Sequence, residues 1–116
     1  LAEQTKRWVI NYIWNTNLEQ KLSGFLVDKM QANYGSLSRN FSRVFGKTIE
    51  RYSLLLKIER AKELVEYGGM NLCEIAYSLG YQNPSALSKQ FKKETGMSLR
   101  EYQKLVITRR IPLDKI

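Results

Sequence analysis

Two short stretches combine hydroxyls and cations at helical spacing: "GSLSRNFSR" at 35–43 and "PSALSKQFKK" at 84–93. Serine hydroxyls donate and accept hydrogen bonds, an arginine fork donates paired bonds to a planar acceptor edge, and lysines offer point charges. Side chains of this kind suit a polyanion that carries flat polar edges. The chain contains no histidine, and Cys73 is its only cysteine. Disulfide frameworks, Cys/His zinc sites and histidine acid–base catalysis are therefore excluded. No Gly-rich phosphate loop and no paired carboxylates in a plausible cleft supply another catalytic set. The chain reads as a binding protein and not an enzyme, with no metal and no cofactor, and Cys73 reads as a solvated or half-packed thiol.

Nineteen Lys and Arg against eleven Asp and Glu leave a net charge of +8 on 116 residues. A surface with that excess attracts nucleic acid or an anionic membrane. No apolar run approaches the roughly 18 residues a membrane span needs, and the N-terminus lacks a signal-peptide layout. The expectation is a soluble, cytoplasmic protein. Its 43% hydrophobic content is ordinary for one folded domain or two small lobes. A first residue of Leu1 in place of Met suggests a fragment of something longer.

The elements that must position these side chains emerge from an internal repeat. At an offset of 50 residues, "SLSRNFSRVFGKTIERY" (36–52) lies over "ALSKQFKKETGMSLREY" (86–102). Leu37, Ser38, Phe41, Gly46 and Tyr52 match Leu87, Ser88, Phe91, Gly96 and Tyr102; Arg39 and Asn40 match Lys89 and Gln90 in chemistry. Upstream the offset becomes 49, pairing Leu26 with Ile75, Val27 with Ala76 and Met30 with Leu79. The extra residue of the second copy belongs in a turn. Agreement of apolar spacing, Gly and Tyr together points to a duplication.

With only two prolines and almost no β-alternation, the chain reads as all-helical. In the second copy Asn71 can cap a helix with Glu74 three residues on, and Gly80 permits the positive φ that closes it. Asn83 then caps a new helix with Pro84 at its first position. Two helices joined by so short a turn cross steeply, and small Ala76 lets the second approach through Leu87 and Phe91. This is a helix-turn-helix, whose second helix ordinarily enters the DNA major groove. At 100° per residue, Leu87 and Phe91 turn inward while Ser85, Lys89, Lys92 and Lys93 face out. The same wheel on the first copy buries Leu37 and Phe41 and exposes Gly35, Ser36, Arg39, Ser42 and Arg43. Residues near each helix start would reach base edges, Arg39 foremost because its fork matches guanine O6 and N7. Ser42, Arg43, Lys92 and Lys93 would meet phosphates.

Between the copies, "TIERYSLLLKIERAKELVEYGG" reads as one long helix from near Thr48 to the stop at Gly68 and Gly69, with Ile49, Tyr52, Leu56 and Leu64 in the core. About 19 residues at 1.5 Å each span about 28 Å, close to the ~34 Å turn of B-DNA, so the connector could hold two recognition helices in successive major grooves. Lys57 and Arg60 on it could reach phosphates or be solvated. "TKRWVINYIWN" forms an amphipathic helix with Val9, Ile10, Ile13 and Trp14 inward, and Trp8 and Trp14 read as core in preference to base-stacking aromatics. Ser98 and Glu101 make a capping box for a last helix that packs Tyr102 and Leu105. The chain thus divides into a first lobe at 1–47, a linker helix at 48–67, a second lobe at 68–108 and a loose tail at 109–116.

Over about residues 17 to 105, and most specifically in "EIAYSLGYQNPSALSKQFKKETGMSLREY", the chain resembles the DNA-binding domain of the AraC/XylS family of bacterial transcription regulators. The resemblance implies an all-α fold of about seven helices, with two helix-turn-helix lobes joined by a long linker helix. It implies promoter binding, usually activation through RNA polymerase, and an attached N-terminal effector or dimerisation domain. Carried over by position, the base-reading sites fall on Gly35, Ser38 and Arg39 and on Pro84, Ser85 and Lys89. Gly35 has no side chain and Pro84 no donor, so readout leans on Arg39, Ser38, Ser85 and Lys89. Lys57 stands where the family often has Arg. The chain departs from the family at Val27, where a small residue is usual at the helix crossing, at Gln31, where a turn Gly would be easiest, and at Leu99, where Pro is frequent.

The sequence therefore leads to sequence-specific binding of double-stranded promoter DNA and transcription regulation. The competing reading is an architectural DNA- or RNA-binding helical module that uses the same charge without reading bases; a protein-interaction adaptor is the third.

Overall fold

Apolar residues recurring every three or four positions, separated by Asn, Gly and Ser caps, fold the chain into helices. The structure is a computed structural model that describes residues 1–110 except 17 and 19. Among the described residues there are seven helices and no strand: α1 (Ala2–Asn15), α2 (Leu22–Met30), α3 (Tyr34–Phe45), α4 (Ile49–Tyr67), α5 (Leu72–Ser78), α6 (Pro84–Thr95) and α7 (Leu99–Arg110). The last helix runs two residues into the segment read as a loose tail, and 111–116 lie outside the described residues. Two compact units divide within α4, between Lys57 and Ile58.

In the first unit α1, α2, α3 and the start of α4 enclose Val9, Tyr12, Ile13, Phe25, Leu26, Leu37, Phe41 and Ile49. The buried stripe of α1 runs through Val9, Tyr12 and Ile13, at i, i+3 and i+4, whereas Ile10 lies one residue off it and is exposed. Tyr12, and not Ile10, is thus the inward residue there. Trp8 and Trp14 pack against this core, Trp8 edge-on to Phe25 with ring centres 6.1 Å apart. Val27, aligned with the crossing residue Ala76, does not fill a crossing: it is 38% exposed while its neighbour Leu26 is fully buried. A branched side chain cannot occupy the space an Ala leaves between two crossing helices, so the apolar face of α2 rests on Leu26 and Phe25 instead.

The second unit encloses Ile58, Ala61, Val65, Ile75, Ala76, Leu79, Leu87, Phe91, Leu99 and Val106. Leu99 is buried, as its repeat partner Ile49 is, so an apolar side chain serves the position where a proline was the family's habit. Phe91 packs on Tyr102 at 5.6 Å between ring centres. Burial of side chains such as Leu87 and Phe91 is worth about 1.5–3 kcal/mol each and fixes the roll of α6.

The linker helix serves both cores. Ile49, with Tyr52 and Leu56 packed beside it, belongs to the first; Ile58, Ala61 and Val65 belong to the second. Leu64 packs against the second core as Tyr52 and Leu56 do against the first, each partly buried.

Candidate nucleic-acid interface

Each candidate recognition helix is started by an asparagine. Asn33 Oδ1 accepts from Ser36 N–H at 3.0 Å to open α3, and Asn83 Oδ1 accepts from Ala86 N–H at 2.8 Å to open α6, with Pro84 in the first turn. Both helices end at a left-handed Gly, Gly46 and Gly96.

The turns before them differ. In the second motif Gly80 (φ 83°) closes α5, Gly80 N–H donating to the Tyr77 carbonyl at 3.1 Å and Tyr81 N–H to that of Ala76 at 3.0 Å, a Schellman closure. Asn71 and Glu74 open the same helix with a complete capping box. In the first motif Gln31 takes the left-handed position (φ 53°, ψ 43°), an unusual conformation for a residue with a Cβ, and its side-chain amide donates to the Asp28 carbonyl at 2.7 Å.

Leu37 and Phe41 on α3, and Leu87 and Phe91 on α6, are buried at exposures of 0–1%. With those pairs fixed inward, Ser36, Arg39 and Arg43 are exposed on α3, and Ser85, Lys89, Lys92 and Lys93 on α6. Gly35, Ser38, Ser42 and Pro84 are half-buried. The α3 sequence contains no acid; α6 contains Glu94 alone, which accepts from Gln90 at 3.3 Å. Each face is therefore a field of hydroxyls and cations. Lys57 differs from the other candidate cations: it is half-buried, and burial pushes its ammonium below the ordinary lysine value.

Gly35 has a specific neighbour. A Cβ built there would lie 3.2 Å from Asn33 Oδ1 and 3.3 Å from Arg39 Nη1, so the missing side chain makes room for the cap and for the guanidinium.

Sequence reasoning passed over Tyr34, Glu50 and Arg100. The Tyr34 hydroxyl donates to Glu50 Oε1 at 2.7 Å, tying the first turn of α3 to that of α4. Burial, then Glu50, pushes the phenol well above its ordinary value, so it stays protonated as a donor. In the repeat register Glu50–Arg51 stands over Arg100–Glu101, an exchange of charge that was available as a signal. Among the described residues no group of three or more His, Cys, Asp or Glu is placed to hold a metal, and no helix is long and apolar enough to cross a membrane.

Two capped helix pairs, each presenting a basic second helix, define a helix-turn-helix DNA-binding domain of a transcription regulator. Comparison with known proteins makes the class specific: the family model described as a helix-turn-helix domain matches residues 26–105, and the chain belongs to this AraC-type family. The chain is 33% identical over 79 residues to an AraC-like transcription regulator of Streptomyces lividans, covering 68% of this chain and 26% of that protein. It is 30% identical over 82 residues to the melibiose operon regulatory protein of Escherichia coli K12, covering 71% of this chain and 26% of that one. It thus spans about a quarter of the length of these relatives. Among solved structures, the DNA-binding domain of AdpA in complex with a target DNA superposes with a TM-score of 0.77 at 20% identity, covering 94% of this chain and 95% of that one. The C-terminal domain of the response regulator yesN of Fusobacterium nucleatum gives 0.72 at 26% identity, covering 88% and 97%.

Proposed function

We propose that this chain binds a bipartite site in double-stranded promoter DNA, with α3 and α6 in successive major grooves, and regulates transcription, as an activator that contacts RNA polymerase. One observation carries the reading: both second helices expose a serine in the first turn and a cation one turn on, Ser85 and Lys89 four apart on α6 and Ser36 and Arg39 three apart on α3, where Gly35 holds the place of Ser85, above a buried Leu/Phe pair. Arg39 takes a guanine edge through its fork, and Ser38, Ser85 and Lys89 make single contacts. Gly35 and Pro84 admit the DNA closely, Ser36 assists at the base edge, and Ser42, Arg43, Lys57, Lys92 and Lys93 hold phosphates. Support comes from the solved relative that is itself held on a target DNA and from the regulators among the bacterial relatives. Relatives about four times as long leave room for an N-terminal effector or dimerisation domain, and a regulator of bacterial promoters acts in the cytoplasm.

The test is selection from a random duplex library at near-physiological salt. Enrichment of a site with two short blocks about one helical turn apart is the expected outcome. Arg39→Ala then loses about 1–3 kcal/mol on that site and relaxes preference at one position. Loss that is uniform over all sequences would make Arg39 a phosphate contact. Salt-sensitive binding without enrichment, or preference for RNA, would replace the whole reading with a non-specific architectural module.

A further inference from the structure

The start of α7 forms one side of a cleft whose other side is the start of α6. Ser85 and Ser88 of the recognition helix, Ser98 and Arg100 of the α7 start, and Cys73 of α5 line a space of about 370 Å³. A second hollow continues from it past Arg100 and Cys73 to Gln103 and Lys104. No acidic side chain lines either space. The two nearby carboxylates hold helix caps, Glu74 Oε1 accepting from Asn71 N–H at 2.9 Å and Glu101 Oε1 from Ser98 N–H at 3.0 Å, and Glu101 also feels the charge of Lys104.

The repeat supplies an internal contrast. In the register that lays Tyr34 over Pro84, Glu50 occupies the position of Arg100 and Leu54 that of Lys104. The first motif therefore sets a carboxylate at this place and joins it to Tyr34 across the two helix starts at 2.7 Å. The second motif sets two cations there, with no phenol opposite them.

We propose that the cleft beside Arg100 and Lys104 is a seat for the DNA backbone flanking the groove read by α6, and that the first motif has no such seat. The occupant follows from charge and continuity. Ser85 belongs both to the cleft and to the outer face of α6, so a strand lying along that face reaches the space that Arg100 also lines. The guanidinium takes one phosphate by a bidentate contact, and the Lys104 ammonium takes a neighbouring one as a point charge. The two motifs then grip DNA unequally, the second adding phosphate contacts that the first replaces with an internal hydrogen bond. This inference rests on the DNA-binding reading above.

The experiment measures the salt dependence of binding to selected and scrambled duplexes for the wild type and for the Arg100→Ala/Lys104→Ala double variant, together with the alkylation rate of Cys73 with and without DNA. Both substituted side chains are exposed, and circular dichroism verifies the fold. The expected result is a slope of log affinity against log salt shallower by about 2 in the double variant, with the ratio of selected to scrambled affinity unchanged. Duplex DNA should also slow alkylation of Cys73, the only cysteine of the chain, in the wild type. An unchanged slope and an unprotected Cys73, in a protein that still discriminates between duplexes, would overturn the backbone seat and leave the DNA-binding reading standing. Binding by the wild type without discrimination would sink base reading, while the change in slope still decides the seat. Absence of salt-sensitive binding by the wild type would remove both.

Discussion

Arg39 Nη1 lies 3.3 Å from the point where a side chain on Gly35 would begin. The glycine is thus the floor on which the guanidinium rests, and the two positions act as one. Gly35→Ala adds a methyl group in the first turn of α3, where Ala is favoured over Gly by up to about 1 kcal/mol. The guanidinium sits at the end of a flexible arm and yields. The expected outcome is a thermal midpoint little changed, the gain in helix propensity being offset by crowding of the Asn33 cap oxygen at 3.2 Å, with affinity for the selected site reduced because Arg39 is turned from its resting place. Melting curves and titrations on the same variant separate the two effects.

Gln31→Gly addresses the turn of the first motif. A left-handed conformation costs a residue with a Cβ about 1–2 kcal/mol, and glycine removes that strain. Part of the gain is offset by the entropy of glycine and by loss of the 2.7 Å bond from the Gln31 amide to the Asp28 carbonyl. A net stabilisation of about 0.5–1 kcal/mol in chemical denaturation is expected. A destabilised variant would mean that the amide bond outweighs the backbone strain.

Exchanging the crossing residues tests how differently the two motifs pack. Ala76 is fully buried, so Ala76→Val forces two methyl groups between α5 and α6 and should cost about 1–3 kcal/mol. Val27 is 38% exposed, and Val27→Ala should stay within about 0.5 kcal/mol. Equal costs would show that the repeat alignment at this position also holds in space.

Acid sensitivity should be lower in Glu101→Gln. Hydrogen bonds from Ser98 first, and then the charges of Lys92 and Lys104, hold the Glu101 carboxyl below its ordinary value. A depressed carboxyl contributes stability above its unfolded value and loses it as the pH falls through the folded one. The variant should therefore melt below the wild type at pH 7, and the difference should close as the pH falls through the depressed folded value of Glu101.

Much of this arrangement was legible because it is written in short-range signals. Asn71 and Asn83 each bond a backbone N–H three residues on, as does Asn33, which the sequence reading did not name, and the Leu37/Phe41 and Leu87/Phe91 pairs set the roll of α3 and α6. What escaped depends on partners distant in sequence. Ile10 and Tyr12 are both apolar enough for the core, and only packing against Phe25 selects Tyr12, with ring centres 5.1 Å apart. In α4 the sequence reading names Ile49, Tyr52, Leu56 and Leu64, all of which lie in or against a core, and omits Ile58, Ala61 and Val65, which fill the second core and which no single helical period reveals. The exposed candidates for base contact were placed by the wheel. The relation of Arg39 to Gly35 and the bond between Tyr34 and Glu50 needed coordinates, since both turn on where long side chains come to rest.

The double duty of α4 also bears on how this protein can change over generations. Ile49, Ser53, Ile58, Ala61 and Val65 put a buried side chain in every turn or so of a 19-residue helix. A substitution at any of them disturbs one hydrophobic interior or the other. Neutral drift in this stretch is left mainly to the exposed Arg51, Glu59, Glu63, Glu66 and Tyr67. The connector should accordingly diverge more slowly than a solvated connector would, while the exposed serines and cations of α3 and α6, whose side chains carry no core, are free of that constraint.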